Sequence, residues 1–405
     1  MTENLQNNDI RFMREALRQA RKGSGRTSPN PAVGAVIVDN GNIIAKGYHK
    51  KAGLPHAEVD ALNMVEGKAT GCTLYVTLEP CNHHGRTPPC TESIVKSGIS
   101  RVVVGMKDPN PDVSGGGCEF LEKSGIEVKS GVLEKECRLL NEAFLKYVLV
   151  KRPFVISKSA ITLDGWTGTA TGHSKWITND KSRQFVHRLR DKVDAVMVGV
   201  GTVLADDPQL TVRLSRSRGR DPLRVVVDSR LRTPSHAKIV NHTSASDTML
   251  AIGEDVAAAS LERFNKKGVM ALVCPTTDGR IDLAALMDIL VEKSVTSVLL
   301  EGGATLAGAM LREKLIDKCY IFTAPKILGG NDGIPMFAGP GPKKMDQSIL
   351  LKDIKVRRFG DDRMVVGYPD YGYVISNESA VRSKQSSDKT VKLSELTFSS
   401  FSLAP

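Results

Sequence analysis

Thr77-Leu78-Glu79-Pro80-Cys81-Asn82-His83-His84-Gly85-Arg86-Thr87-Pro88-Pro89-Cys90 carries two cysteines nine positions apart. It continues an apolar run, 73–78, with the length of a buried strand. Upstream, His56-Ala57-Glu58 stands at the start of a predicted helix that runs to about Val65. Two thiolates and one imidazole, from Cys81, Cys90 and His56, suit Zn²⁺ and leave a fourth tetrahedral position for water. Both cysteines are expected at helix N-termini, where the helix dipole favours thiolate. Water on such an ion can reach a pKa of about 7. Glu58, two residues from His56, need not bind the metal. It can carry a proton from the water to a leaving amine, help worth roughly 10²–10⁴-fold.

His-x-Glu followed by Pro-Cys and a second Cys is the pattern of zinc nucleobase deaminases, although their common form separates the cysteines by only two residues. A structural site remains the alternative, with His83 or His84 as a fourth protein ligand. Glu58 argues against it, because a structural site has no use for a proton carrier. The other cysteines, Cys72, Cys118, Cys137, Cys274 and Cys319, show no ligand spacing and read as small core residues.

Around this centre, the first half alternates helix and strand. Ile10, Met13, Leu17 and Ala20 predict a helix that Asp9 caps and Gly23 ends. The runs 32–38 and 43–45, joined by Asp39-Asn40-Gly41, predict a hairpin. Strands are predicted over 73–78 and 101–106, and one long helix over 134–150. Lys151-Arg152-Pro153 interrupts that helix, so the domain boundary is placed after residue 150. A chain of 405 residues exceeds the roughly 250–300 that one core supports, which also favours two domains.

The second half predicts strands at 154–159, 195–200, 223–227, 249–252 and 298–301. Helices are predicted at 179–190, capped by Thr178, and at 281–291, and a closing hairpin at 354–367. Such alternation implies an α/β domain with a largely parallel sheet. Val198-Gly199-Val200-Gly201-Thr202-Val203-Leu204-Ala205-Asp206-Asp207-Pro208 is a strand with a glycine-rich turn. Leu299-Leu300-Glu301-Gly302-Gly303-Ala304-Thr305-Leu306 is another, feeding a helix to about Arg312. Glycines at a helix start let a pyrophosphate approach backbone N–H groups. Neither turn is Gly-x-Gly-x-x-Gly. The Ser-rich stretch 371–405 reads as a loose tail.

With 41% hydrophobic and 25% charged residues the chain is globular, and no apolar run is long enough for a membrane helix. Seven cysteines, an odd number, argue against a disulfide scaffold and for a reducing, cytoplasmic setting. The net charge of +11 fits nucleic acid or small phosphorylated ligands, while 5% aromatic content leaves few stacking platforms for single strands. Arg213, Arg216, Arg218, Arg220, Arg224, Arg230 and Arg232 crowd one stretch, read as a solvated loop with one or two phosphate contacts rather than a nucleic-acid patch.

The run 77–90, with its long cysteine spacing, resembles the family of bifunctional riboflavin-biosynthesis deaminase–reductases. Ser28-Pro29-Asn30-Pro31-Ala32-Val33-Gly34 and Gly47-Tyr48-His49 fit that family too, and the likeness covers about residues 9–368. It implies a cytidine-deaminase-like α/β/α sandwich followed by a dihydrofolate-reductase-like α/β domain over 151–370. It implies zinc-dependent hydrolytic deamination of a diaminopyrimidinone ribosylamino 5′-phosphate, then NADPH-dependent reduction of the ribosyl group to a ribityl chain.

By the same resemblance, His56, Cys81 and Cys90 hold zinc, and Glu58 carries the proton. Asn30, His49, His83, Arg86 and Asn110 fall where substrate contacts are expected in the first domain; Ser174, Arg190, Leu210, Arg213 and Glu301 do so in the second. Ala160, Trp176, Thr202, Asp206, Ser229 and Gly303, Ala304, Thr305, Leu306, Ala307, Gly308 and Ala309 fall near NADPH. Lys158 is the candidate to polarise the sugar at C1′, and Arg213 the candidate for the substrate phosphate. The partner implied is a small phosphorylated pyrimidine, with no nucleic acid and no membrane, and a homo-oligomer is expected. The competing readings are a basic RNA-binding protein with structural zinc and a tRNA or nucleobase deaminase with an unrelated second domain.

Overall fold

A computed structural model describes residues 2–84, 88–110, 116–215 and 219–372. The chain divides into two units, Met1–Lys151 and Arg152–Pro405. No helix among the described residues is long and apolar enough to cross a membrane.

The first unit runs α1 (Thr2–Gly23), β1 (Gly34–Asp39), β2 (Asn42–Tyr48), α2 (Ala57–Asn63), β3 (Thr73–Leu78) and α3 (Cys90–Lys96). It continues with β4 (Arg101–Met106), α4 (Gly117–Lys123), β5 (Glu127–Lys129), α5 (Glu134–Leu140) and α6 (Glu142–Val150). Its sheet has the order β2-β1-β3-β4-β5. The β1–β2 hairpin and the β1–β3 pair are antiparallel, while β3, β4 and β5 run parallel. Leu74, Val76, Val102, Val103 and Val104 are wholly buried. Both faces of β3 and β4 are therefore covered, which is why these strands read as unbroken apolar runs in the sequence.

Two expectations change here. Asp9 is not a helix cap; it lies inside α1, 1% exposed, and serves as a buried anchor. It accepts hydrogen bonds from Arg101, Lys129 and the Tyr75 hydroxyl, at 2.9 Å each. The helix expected over 134–150 is two helices, broken at Asn141. The reason is a long-range contact. Asn141 Oδ1 accepts the Ala32 N–H at 2.8 Å and its Nδ2 donates to the Ala32 carbonyl at 3.1 Å. Two hydrogen bonds to the backbone of one residue hold the chain there at φ −113°, ψ 25°, outside helix geometry.

The second unit opens with β6 (Phe154–Ile161), β7 (Trp166–Gly168), α7 (Asp180–Arg190), β8 (Ala195–Gly199) and α8 (Val200–Asp206). Then come β9 (Leu223–Val227), β10 (Thr248–Gly253), α9 (Glu262–Asn265), β11 (Met270–Cys274), β12 (Thr276–Thr277) and β13 (Arg280–Ile281). It ends with α10 (Leu283–Glu292), β14 (Ser297–Glu301), α11 (Ala304–Arg312), β15 (Lys318–Thr323), β16 (Ile334–Pro335), β17 (Leu350–Phe359) and β18 (Asp362–Asp370). The main sheet has nine strands in the order β11-β10-β9-β8-β14-β6-β15-β18-β17. The strands from β11 to β15 pair in parallel, and β18 and β17 close the sheet antiparallel. Strand β14 returns to lie between β8 and β6, the kind of chain reversal that opens a ligand crevice at the carboxyl ends of parallel strands. The cap of α7 is Asn179 rather than Thr178: its side chain accepts the Ser182 N–H at 3.1 Å. The arginine-rich stretch does not form one face. Arg224 is wholly buried and donates to the Thr248 hydroxyl at 2.9 Å. Arg216 and Arg218 lie outside the described residues, as do all but the first two residues of the Ser-rich stretch.

Candidate active sites

In the first unit, the carboxyl end of β3 delivers Cys81 to a turn, and α3 begins at Cys90. The two meet because the Cys90 N–H donates to Cys81 Sγ at 3.4 Å. Cys81 thus takes no place on a helix of its own, contrary to the expectation for both cysteines; it borrows the first N–H of α3. His56 caps α2, and its Nδ1 lies 3.2 Å from Cys90 Sγ and 3.4 Å from Cys81 Sγ. The three ligand atoms all fall within 4.8 Å of one another. A tetrahedral zinc site needs ligand–ligand separations of roughly 3.5–3.8 Å. The three side chains therefore fit the ion with little movement. Among the described residues no fourth His, Cys, Asp or Glu joins them. His84 is exposed and lies 3.3 Å from Glu92 instead. That leaves the fourth coordination position to a small ligand.

The charges in this pocket reflect the gathering of acidic groups. Cys90 shares its proton with Cys81, so the Cys81 thiol falls to about 4 while that of Cys90 is pushed up. The hydrogen bond with Cys81 raises His56. Glu58, in the first turn of α2 and 3% exposed, is pushed up to about 7 by burial and by the Cys81 thiolate. His49 lies edge-on to His56, with ring centroids 5.3 Å apart, and burial lowers it. Its Nε2 is 3.2 Å from Asn30 Nδ2 and its Nδ1 is 3.1 Å from the Pro55 carbonyl. Asn30, His49, His56, Cys81, Cys90 and Glu58 thus stand together.

His83 is exposed two residues after Cys81, and Asp108, whose carboxyl burial pushes up, lies near it. The Asn110 N–H donates to Asp108 Oδ1 at 2.9 Å. Arg86 lies outside the described residues. Sequence reasoning passed over Glu79, which is buried and accepts the N–H groups of Asp108 and Cys118 at 3.0 and 2.9 Å. It ties the loop after β4 to the cysteine turn, and its place beside Pro80-Cys81 was the available signal.

In the second unit, Lys158 on β6 and Glu301 on β14 are register partners. Glu301 binds Arg190 from α7 through two hydrogen bonds, at 2.5 and 3.0 Å. Arg190 also donates to the Thr211 carbonyl at 2.9 Å. Burial pushes Glu301 up, but Arg190, Lys158 and His187 outweigh it and hold the carboxyl below its ordinary range. Burial lowers Lys158, and Arg190 adds to that; Glu301 opposes both. Leu210 is buried with φ 53°, and the segment after it is pinned from three sides. Asp221 accepts the Val212 N–H at 2.6 Å, His187 Nδ1 accepts the Arg213 N–H at 3.3 Å, and Arg190 holds Thr211. His187 and Asp221 were not singled out in the sequence, where nothing local marks them. Burial, Arg190 and Arg213 drive His187 down to about 4, so it is neutral and able to accept.

The glycine turns form a cradle. Gly302 and Gly303 have φ of 82° and 81°, and Gly303 caps α11. A Cβ on either would stand 3.3 Å from Thr202 Oγ1, so the two turns touch. Glycine is required for that backbone and leaves its N–H groups open to a phosphate. The chain's residues thus fit a dinucleotide at this edge. The first turn of α11, Ala304 and Thr305, is accessible, whereas Leu306, Ala307 and Gly308 are buried and Ala309 is half-buried. Asp206 pairs with Lys175 at 3.5 Å, and Ser174 packs beside Gly168. Trp176 is 61% exposed under the Arg183 guanidinium. Ala160 lies on β6 opposite Phe322, and Ser229 follows β9.

Comparison with known proteins agrees with both halves. The cytidine and deoxycytidylate deaminase zinc-binding region matches residues 6–106, and the RibD C-terminal domain matches residues 153–365. The riboflavin biosynthesis protein RibD of Actinobacillus pleuropneumoniae is 42% identical over 87% of this chain and 93% of its own. That of Aquifex aeolicus is 43% identical over 88% of this chain and 97% of its own. The chain belongs to the RibD family. A solved structure from Thermotoga maritima, a diaminohydroxyphosphoribosylaminopyrimidine deaminase/5-amino-6-(5-phosphoribosylamino)uracil reductase, superposes with a TM-score of 0.79 at 38% identity, covering 90% of this chain and 99% of that one. As a member of the RibD family, the chain is an enzyme of riboflavin biosynthesis with two activities, a zinc-dependent deaminase and an NADPH-dependent reductase. With both halves matched, an unrelated second domain and a structural-zinc RNA-binding protein lose their footing.

Proposed function

We propose that the first unit hydrolytically deaminates a 2,5-diamino-6-ribosylamino-pyrimidinone 5′-phosphate and that the second reduces the ribosyl group of the product to ribityl. The observation that carries this is the convergence of His56, Cys81 and Cys90 beside a buried Glu58. Zinc, when bound, supplies a Lewis acid that makes a water nucleophilic at neutral pH. His56 Nδ1 and the two sulfurs hold it. Glu58 takes a proton at its carboxylate and returns it to the leaving amine. Asn30 and His49 present an amide and an imidazole to the edge of the pyrimidine, and His83 and Asn110 complete the contacts from the neighbouring loops; Arg86, outside the described residues, keeps its expected role at the phosphate. Their donor chemistry matches a polar heterocycle with a phosphate.

NADPH, when bound, supplies the hydride chemistry. Gly303 and the start of α11 receive its phosphates, with Thr202, Asp206, Trp176, Ala160 and Ser229 around it. Lys158 Nζ polarises the sugar at C1′. Arg190 and Glu301 fix each other before substrate arrives and hold the segment that presents Leu210 and Arg213. Arg213 keeps its guanidinium on the Thr211 hydroxyl at 3.1 Å, within reach of a phosphate that displaces that contact, and Ser174 adds a hydroxyl for the substrate.

A homo-oligomer in the cytoplasm completes the reading. Edge strand β17 exposes Leu350, Ile354 and Val356 beside a backbone edge that no other strand pairs with among the described residues, a surface that a second copy can cover. The purified protein, given the diaminopyrimidinone phosphate and NADPH, is expected to release ammonia and oxidise NADPH in that order. NADPH oxidation without prior ammonia release would refute the order.

A further inference from the structure

Arg213 stands exposed in the segment between α8 and β9, and it owes its place to the backbone around it. Gln184 Nε2 on α7 donates to its carbonyl at 3.4 Å, opposite the hydrogen bond from its N–H to His187. Val212, the residue before it, is held more tightly. Its N–H donates to Asp221 Oδ1 at 2.6 Å. Its side chain lies over Gly219, where an added Cβ would stand 2.3 Å from Val212 Cγ1. Position 219 therefore accepts no side chain unless Val212 moves, and Arg213 would move with it.

Asp221 is itself tied to the sheet. Its Oδ2 accepts the Ser244 hydroxyl at 2.6 Å, and its carbonyl accepts the Ser246 hydroxyl at 2.5 Å. The Ser246 carbonyl accepts Arg224, which is wholly buried on β9 and donates to the Thr248 hydroxyl as well. A continuous chain of contacts thus runs from β9 and β10 to the Val212 peptide. Each carboxylate oxygen of Asp221 already accepts a protein donor. Its charge acts on Arg190, Arg213, Arg224 and His242. Burial lowers the Arg213 guanidinium and Arg190 adds to that; Asp221 and Glu301 oppose both. Two like charges pressed together repel. Asp221 offsets that repulsion while its hydrogen bond fixes the loop.

A carboxylate close to a phosphate site repels the ligand unless its value lies in what it holds. Guanidinium–phosphate hydrogen bonds are short and directional, so a small displacement of the arginine weakens them. We infer that Asp221 is a positioning residue for Arg213: it touches no substrate, but it fixes where Arg213 meets the substrate phosphate, and so sets the reductase's preference for a phosphorylated over an unphosphorylated sugar. The inference rests on the reading of Arg213 as the phosphate contact.

The test compares two ligands on the full-length, zinc-loaded protein at saturating NADPH. One is the pre-deaminated phosphorylated substrate, read by its KM. The other is the dephosphorylated reduction product, read by its Ki as a competitive inhibitor. Asp221→Ala should raise that KM about tenfold, leaving kcat, the KM for NADPH and the Ki of the unphosphorylated ligand within about twofold. Asp221→Asn keeps an acceptor for the Val212 N–H and should restore most of the lost affinity. Asp221→Glu keeps the charge but shifts the acceptor by one methylene; it should raise the KM at least about threefold, and it carries the comparison if the alanine variant does not fold. Arg213→Ala combined with Asp221→Ala should bind no worse than Arg213→Ala alone. Equal weakening of both ligands would assign Asp221 a merely structural role and overturn the inference. So would an unchanged KM in the Asp221 variants while Arg213→Ala raises it, which leaves Arg213 as the phosphate contact. An unchanged KM in Arg213→Ala overturns both.

Discussion

The two sites differ in how their reactive groups come together and in the charge they present. In the zinc pocket, Cys90 opens α3 and donates its N–H to the nearby Cys81 Sγ, and His56 and Glu58 share one helix start. The groups are acidic and crowd a space that a cation relieves. At the reductase edge, Lys158 and Glu301 come from distant parts of the chain and meet only because β6 and β14 pair in that register. There the carboxylate is already neutralised by Arg190, and the surplus charge is positive, ready for a phosphate. One pocket is incomplete until a metal arrives; the other is organised beforehand by its own ion pair. Each should therefore fail separately, and in a different way.

The largest separation is expected from Glu58→Gln. The three ligand atoms remain, so zinc content should stay at one per chain while ammonia release falls roughly 10²–10⁴-fold. NADPH oxidation with pre-deaminated substrate should be untouched. Zinc loss, or undiminished turnover, would remove Glu58 from the chemistry. The mirror experiment is Lys158→Ala. Deamination should persist and reduction should fall by roughly 10²-fold or more. A matching fall in ammonia release would show that the two sites are not independent.

The contrast also explains what was visible in the sequence. His56, Glu58, Cys81 and Cys90 were legible because the chemistry fixes a pattern in the chain, His-x-Glu at one helix start and Pro-Cys followed by a second Cys further on. The glycine turns after β8 and β14 were visible for the same reason, and so were the strands 73–78 and 101–106, buried on both faces. Asn141 was not, because the break it makes depends on Ala32, far away in the chain. Asp9 looked like a cap because a carboxylate before an apolar period usually is one; Arg101 and Lys129, which keep it buried, reach it only through the fold. His187 and Asp221 act on backbone groups of a loop whose conformation no local pattern announces.

Smaller effects sharpen the comparison. Asn141→Ala removes both hydrogen bonds to Ala32 and should lower the stability of the first unit by about 1–3 kcal/mol. It should also raise the deaminase KM, since Asn30 lies in the same loop, and leave the reductase KM unchanged. Calorimetry and the two separate assays check both points. Asp9 gives a pH signature. Burial raises its carboxyl, but Arg101, Lys129 and Tyr75 outweigh burial and lower it from 3.8 to about 2. Its contribution is therefore fully present above about pH 4 and is lost as pH falls toward 2. It amounts to about 2 kcal/mol. Asp9→Asn should be less stable at neutral pH and lose less stability than the unaltered protein between pH 4 and pH 2. Parallel losses would assign the acid sensitivity elsewhere.

The most direct test of the account is one preparation assayed before and after a chelator strips its metal. One zinc per chain is predicted at the outset. Stripping should abolish ammonia release, leave NADPH-dependent reduction of the pre-deaminated substrate at its original rate, and be reversed by adding zinc back. Ammonia release that continues in the stripped protein, or reduction that disappears with the zinc, would contradict it.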